Sequence, residues 1–267
     1  VVYVSSGDGT TSQGDFHEAL NWASREKAPV VFHVENNGYA ISVPLSEQTS
    51  GESIYSITSG YEHLDRYTID GTNYFESVLA FNKAIDRARK GKGPTVIESK
   101  VVRLLPHSSS DDHRKYRTKE EIDKDKLKDP IIVFEKACIK EKIIKKEEFD
   151  KIYEEIKNQV NKDAEWAELQ EDPKPINSMK NIYSENDNSF ETPKNVGDKI
   201  VLVDAINHAL EEELIYNKKM LVYGQDIAGG KGGVFTATRG LTDKFGKNRV
   251  FNSPLAESSI IGTAIGL

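Results

Sequence analysis

The chain predicts an α/β fold: a doubly wound parallel sheet, a charged helical segment, a linker, and then a partial second α/β domain. Three observations carry that prediction. Runs rich in β-branched residues at 1–6 (VVYVSS), 30–35 (VVFHVE) and 94–102 (PTVIESKVV) read as buried strands. Stretches with apolar residues at helical spacing separate them. Glycine- or asparagine-bearing turns follow the strands, as in repeated βα units.

The first unit spans residues 1–39. Between its two strands, Phe16, Ala19, Leu20 and Ala23 define a helix; Ser12 is placed to cap it, with Asp15 three positions on, and Pro29 lies just past its end. A strand–helix–strand unit closes as a right-handed crossover with parallel strands. Asp8 and Asn37, 37 − 8 = 29 positions apart, therefore fall at the same carboxyl edge of one sheet. Ligands of open α/β sheets bind at that edge. A carboxylate and an amide oxygen are hard donors suited to Mg²⁺, which fills its remaining positions with phosphate oxygens and water. Gly7 and Gly9 let backbone approach a phosphate, and a helix start offers it free N–H groups. The chemistry points to a magnesium diphosphate, although GDG and NNG are each, singly, ordinary turn sequences.

After Tyr39 a polar segment leads to a short strand at 67–70 that ends in Gly71. The next helix is expected to bury Phe75, Val78, Leu79 and Ile85, with Arg87, Arg89 and Lys90 at its C-terminus before Gly91. The strand at 94–102 then delivers residues 103–117 (RLLPHSSSDDHRKYR) to the same edge. By spacing alone this segment, including His107 and His113, reads as a solvated polar loop.

Residues 119–171 are dominated by lysine and glutamate. One helix starts near Asp129 and Pro130 and buries Cys138; another presents Phe149, Ile152, Tyr153, Ile156 and Val160 as a stripe expected to pack on the first domain. Domain boundaries follow: 1–170, a linker at 171–198, and 199–267. In the last part, a helix with Ile206, Ala209, Leu210 and Leu214 on one face precedes a strand at 220–224. A glycine-rich loop (GGKGGVF), a helix near Leu241 and a strand at 249–252 follow. The loop lacks the spacing of a nucleotide fingerprint. Glu257 opens an apolar helix, where an acid is favoured by the dipole alone.

Composition narrows the function classes. A net charge of −7 argues against nucleic acid, and no run of about 18 apolar residues is present to span a membrane. One cysteine excludes an internal disulfide and a thiolate metal cluster, which fits a cytoplasmic protein. Strand and helix patterns running into both ends suggest a piece of a longer chain.

Taken together, GDG and NN, with QGDFHEALNWA and NNGYAIS, resemble the α subunit of thiamine-diphosphate-dependent 2-oxoacid dehydrogenases. DAINHALEEEL, GGVFTATRGL and SPLAESSIIGTAIG resemble the β subunit of the same enzymes, which implies a fused arrangement in the thiamine-diphosphate-binding fold. The resemblance implies oxidative decarboxylation of a 2-oxo acid and transfer of the acyl group to a lipoyl-bearing acyltransferase, by a homodimer. It makes Asp8, Asn37 and the main-chain carbonyl of Tyr39 the Mg²⁺ ligands, with Gly7 and Gly9 beside the diphosphate. HSSSDD followed by YR resembles the loop that begins with the active-site histidine, here His107, which contacts diphosphate and assists acyl transfer. Ser108 matches a position phosphorylated in some relatives. Glu257 matches the glutamate that exchanges a proton with the aminopyrimidine.

Two departures stand out. Many relatives carry a second histidine just before His107, where this chain has Leu105 and Pro106, and an acid where it has Gln225, which is therefore assigned no role. NNGYAIS and HSSSDD lean to the branched-chain type; pyruvate or acetoin dehydrogenase, and a non-catalytic module on the same fold, are the competing readings.

Overall fold

The computed structural model describes residues 1–182, 198–230, 232–233 and 235–267. Strand β1 (Val2–Gly7), a 3-10 turn (Asp8–Ser12), α1 (Gly14–Arg25) and β2 (Val30–Asn36) form the expected first unit. Its two strands pair in parallel, Gly7 against Glu35. One expectation fails here: Ser12 does not cap α1. The chain spends residues 8–12 on the 3-10 turn, so the helix starts later, with Gln13 as its N-cap and no side-chain cap.

The polar segment that follows is more structured than its composition suggests. It holds a two-residue hairpin, β3 (Tyr39–Ala40) and β4 (Val43–Pro44), and two one-turn helices, α2 (Leu45–Gln48) and α3 (Ile54–Ile57). Then come β5 (Asp65–Asp70), α4 (Tyr74–Arg89) and β6 (Thr95–Lys100). The four long strands form one parallel sheet in the order β1-β2-β6-β5.

Side-chain alternation along the inner strands supplies a core on each face of the sheet. Phe32, Val34 and Val96 pack with Phe16, Leu20 and Ala23 of α1 and with Ile54. Val31 and Ile97 pack with Ile69, Ala80 and Ala84. The sheet is thus covered on both sides, as a doubly wound arrangement requires. The buried face of α4 differs from expectation. It is the alanine ridge Ala80, Ala84 and Ala88, whereas Phe75, Val78 and Leu79 are exposed, Leu79 at 62%. Small residues let α4 lie close to the sheet; of the expected set, Ile85 packs there.

After β6 the chain forms α5 (Lys119–Lys126), α6 (Pro130–Lys140) and α7 (Lys146–Glu168). Asp129 caps α6, its side chain accepting from the Ile131 N–H at 2.9 Å, and Cys138 is buried on that helix. On α7 the apolar stripe stays out of any core, with Ile152, Tyr153, Ile156 and Val160 exposed. Local charge pairs such as Lys146 with Asp150 at 2.8 Å support this helix instead.

Two compact units emerge: residues 1–137 with 203–267, and residues 138–202. Of the expected linker, residues 183–197 lie outside the described residues, as do Lys231 and Val234 of the glycine-rich loop.

Within the first unit, α8 (Leu202–Tyr216) precedes a small parallel pair, β7 (Val222–Gly224) and β8 (Val250–Asn252), with α9 (Leu241–Phe245) between them. Leu210 and Leu214 pack onto Val222, Leu241 and Val250. Ile206 and Ala209, expected on the same buried face, are exposed. The last helix, α10 (Glu257–Gly266), meets α1 where the Ser259 hydroxyl donates to Glu18 Oε2 at 3.2 Å.

Candidate cofactor and metal site

Asp8 and Asn37 leave paired parallel strands at the same edge, and the structure joins them directly. Asp8 is 1% exposed, and its Oδ1 accepts the Asn37 N–H at 3.4 Å. Its Oδ2 is buried without a hydrogen-bond partner among the described residues. Burial raises its pKa above the ordinary carboxylate value, against the N–H groups of Asp8 and Asn37 and the charges of Arg103 and Lys100, which lower it. An unpartnered carboxylate oxygen in a buried turn calls for a partner, and a hard cation answers that need.

The second turn supplies two more oxygens. Gly38 takes a left-handed conformation (φ 81°) that glycine alone adopts freely, which reverses the chain between Asn37 and Tyr39. Asn37 Oδ1 accepts the Tyr39 N–H at 3.0 Å, fixing its orientation. Asp8, Asn37 and the Tyr39 carbonyl are therefore brought together as a donor set. Among the described residues no group of three or more His, Cys, Asp or Glu side chains could hold a metal. A cation held here would rest on one carboxylate and neutral oxygens, which would leave positions for phosphate and water, as Mg²⁺ prefers.

Gly9 is required by packing. A Cβ there would sit 2.5 Å from Ala40 Cβ, so the GDG turn and the β3 hairpin can close only around a glycine. At Gly7 the backbone is extended and a Cβ would meet nothing within 4 Å, so the fold itself does not demand glycine at that position.

Arg103, which sequence reasoning passed over, lies across the same oxygens. Its guanidinium donates to the Tyr39 carbonyl at 2.7 Å and to Asn37 Oδ1 at 3.4 Å. The structure itself thus places a cation on two of the three donor atoms. Arg103 also donates to the Tyr116 hydroxyl at 3.2 Å; that hydroxyl donates to Asp111 Oδ2 at 2.6 Å, which accepts the His107 N–H at 2.9 Å. These two bonds hold the Asp111 carboxyl below its ordinary pKa, Tyr116 first. The base of the loop is tied to the Asn37–Tyr39 turn in this way, while His107 itself is exposed. Among the described residues no hydrogen bond joins the His107 side chain to Asp8, Asn37 or Tyr39. Buried Arg117 adds a second anchor: it donates to the Arg103 carbonyl at 2.9 Å, pairs with Glu121 at 2.9 Å and with Asp125, and lies 5.4 Å from the centre of the Tyr39 ring.

His113 is more than a loop residue. It is buried and lines a cavity of about 540 Å³ with Leu104, Leu105, Pro106, Arg117 and Ile122. That cavity includes none of the oxygen donors, so the site is placed by its donors and not by cavity shape.

Glu257 is exposed at the first turn of α10. The side chain of Gln225, expected to have no role, and then the Glu257 N–H hold the carboxyl below its ordinary pKa. Among the described residues no hydrogen bond or ion pair joins the Glu257 carboxylate to Asp8, Asn37, Tyr39 or His107.

A parallel sheet with a carboxylate, an amide oxygen and a carbonyl at its carboxyl edge has these groups where open α/β sheets bind their ligands. Residues 1–176 match the dehydrogenase E1 component family, and the chain belongs to that family. Residues 198–267 match the transketolase pyrimidine-binding domain. The chain is 38% identical to the 2-oxoisovalerate dehydrogenase subunit alpha of Bacillus subtilis over 184 residues, 68% of this chain and 55% of the relative. It is 45% identical to the 3-methyl-2-oxobutanoate dehydrogenase subunit alpha of Mycobacterium tuberculosis over 131 residues, 49% of this chain and 35% of that one. With the pyruvate dehydrogenase E1 component subunit alpha of B. subtilis it shares 34% identity over 194 residues, 72% and 52% of the two chains. The chain thus spans about half the length of two of these relatives and about a third of the other. No helix among the described residues is long and apolar enough to cross a membrane.

Proposed function

We propose that the chain acts in the decarboxylating component of a 2-oxo acid dehydrogenase complex and binds thiamine diphosphate with Mg²⁺. The observation that carries this reading is the buried, unpartnered Asp8 Oδ2 beside Asn37 and the Tyr39 carbonyl. Asp8, Asn37 and the Tyr39 carbonyl would hold the metal. Gly7, where the fold does not require glycine, leaves room for a diphosphate to approach the backbone. His107 would face the diphosphate from the anchored loop and assist acyl transfer to a lipoyl-bearing acyltransferase. Glu257 would exchange a proton with the ring nitrogen of the aminopyrimidine. The cofactor supplies the capacity to stabilise the carbanion left when carbon dioxide departs.

Both matched segments lie on one polypeptide, which supports a fused α/β-subunit arrangement. The proposal further takes domains at 1–170 and 199–267 joined by a 171–198 linker, and a cytoplasmic homodimer. The branched-chain type is the leading substrate class, with a pyruvate or acetoin type as the alternative; two of the three relatives named above carry branched-chain 2-oxo acid names. A non-catalytic module on the same fold is the second reading, favoured by Gln225 and by Leu105–Pro106 before His107. Calorimetry of thiamine diphosphate with and without Mg²⁺, on the complete natural chain carrying this sequence, is the test. Mg²⁺-dependent binding is expected, and binding that persists unchanged in Asp8→Ala would overturn the metal assignment. A decarboxylation assay separates the enzyme from the non-catalytic module.

A further inference from the structure

Glu98 sits in β6 inside an apolar run and is fully buried, at 0% exposure. A carboxylate in that position is expensive to desolvate and persists only with dense hydrogen bonding. The structure provides it. Oε1 accepts from Asn36 Nδ2 at 2.7 Å and pairs with Lys100 Nζ at 2.5 Å. Oε2 accepts the Tyr55 N–H at 3.0 Å and lies 3.4 Å from each of the Ser53 and Thr68 hydroxyls. Burial opposes the charge, yet Lys100, the Tyr55 N–H and Asn36 together hold the carboxyl below its ordinary pKa.

The Asn36 branch leads to the metal turn. With its Nδ2 committed to Glu98, the Asn36 amide points Oδ1 the other way, where it accepts the Gly38 N–H at 3.0 Å. The Asn36 backbone carbonyl is held by the Val101 N–H at 2.9 Å, and the Gly38 carbonyl by the Leu45 N–H at 2.8 Å. Glu98 therefore sets the amide that sets the turn, and that turn presents Asn37 Oδ1 and the Tyr39 carbonyl. Among the described residues no hydrogen bond or ion pair joins Glu98 to Asp8, Asn37 or Tyr39, so its hydrogen-bonded route to the 37–39 turn passes through Asn36, while Lys100 links it to Asp8 by charge alone.

We infer that Glu98 is a positioning residue for a divalent cation: through Asn36 it fixes the 36–39 turn and hence the placement of two of the three candidate ligand oxygens. This rests on the reading of Asp8, Asn37 and Tyr39 as the metal ligands. Partners that orient metal ligands typically govern affinity by about 10- to 100-fold. The Lys100 pairing offsets the charge of Glu98, leaving it to act as an acceptor.

The test measures Mg²⁺ affinity by calorimetry at saturating thiamine diphosphate, on the complete natural chain, with circular dichroism and thermal unfolding of every variant. Glu98→Gln leaves a donor facing either the Tyr55 N–H or the Asn36 amide. Asn36→Ala cuts the link while keeping Glu98, and it decides the matter alone if Glu98→Gln does not fold. Both are expected to weaken Mg²⁺ binding by about 10- to 100-fold with the fold retained, and the double variant to show no further loss. Thr68→Val removes a different partner of Glu98 and is expected to leave Mg²⁺ affinity unchanged. Folded Asn36→Ala with wild-type affinity would overturn the inference and leave the functional reading standing, and so would an equal loss in Thr68→Val. If the wild-type chain itself takes up no Mg²⁺ with thiamine diphosphate, the functional reading falls and the inference with it.

Discussion

Asp8 is buried, donor-linked to the next turn and overlooked by two cations, whereas Glu257 stands exposed at a helix start with Gln225 on its carboxylate. The regions behind them differ in the same way. The four-stranded sheet is covered on both faces and locks its turns with Glu98, Arg103 and Arg117; the β7–β8 pair carries a single small cluster. The contrast teaches that the diphosphate end of the proposed site is held by the sheet and its side-chain network. At the other end the chain provides one carboxylate and a neutral neighbour.

The strongest test of that contrast is chemical. Glu257→Gln is expected to leave Mg²⁺ and cofactor binding intact, because the organised end is untouched, while lowering the decarboxylation rate on the order of 100- to 10,000-fold. A 2-oxo acid assay with an artificial electron acceptor reads the rate, and a normal rate would remove Glu257 from the mechanism. Next in size is the sheet core. Leu20→Ala, at a site with 0% exposure, is expected to cost about 2–5 kcal/mol in denaturant unfolding, and Leu79→Ala on exposed α4 no more than about 0.5 kcal/mol. Equal effects would show that the buried face of α4 is not the alanine ridge.

The third test uses acid. Because burial raises the Asp8 pKa, protonation begins at a higher pH than for an exposed carboxylate, and protons compete with the metal. Mg²⁺ affinity is expected to fall by about tenfold per pH unit once the pH is below that raised pKa. The sign for the metal-free chain is opposite: the fold prefers the neutral Asp8, so its contribution to stability improves as pH falls through the same point. Calorimetry and thermal unfolding across acid pH check both directions. The smallest effect belongs to Gln225→Glu, which replaces the neutral group that lowers the Glu257 pKa with a second carboxylate. The Glu257 limb of a pH–rate profile should move upward, whereas an unmoved limb would mean that Gln225 does not tune it.

Much of the architecture was legible. Strands at 1–6, 30–35 and 94–102 announce themselves by β-branched runs, and crossover geometry alone brings Asp8 to Asn37. The errors have physical reasons. Phe75, Val78 and Leu79 outweigh alanine in any hydrophobic pattern, yet close packing on the sheet selected Ala80, Ala84 and Ala88. Ser12 has the right spacing for a cap, but the 3-10 turn consumed it. Glu98 was detectable in principle as a lone acid in PTVIESKVV, a residue type seldom buried without a partner. Arg103 left no such signal, since the Asn37 and Tyr39 oxygens that it holds lie 64 to 66 residues away in sequence.

The position of Arg103 also governs what a binding measurement on this site reports. A metal ion that engages the Tyr39 carbonyl and Asn37 Oδ1 meets a guanidinium already resting on both. The affinity read by titration is then an exchange constant, the difference between two claims on the same oxygens. Any displacement of Arg103 from those oxygens would then enter its apparent heat.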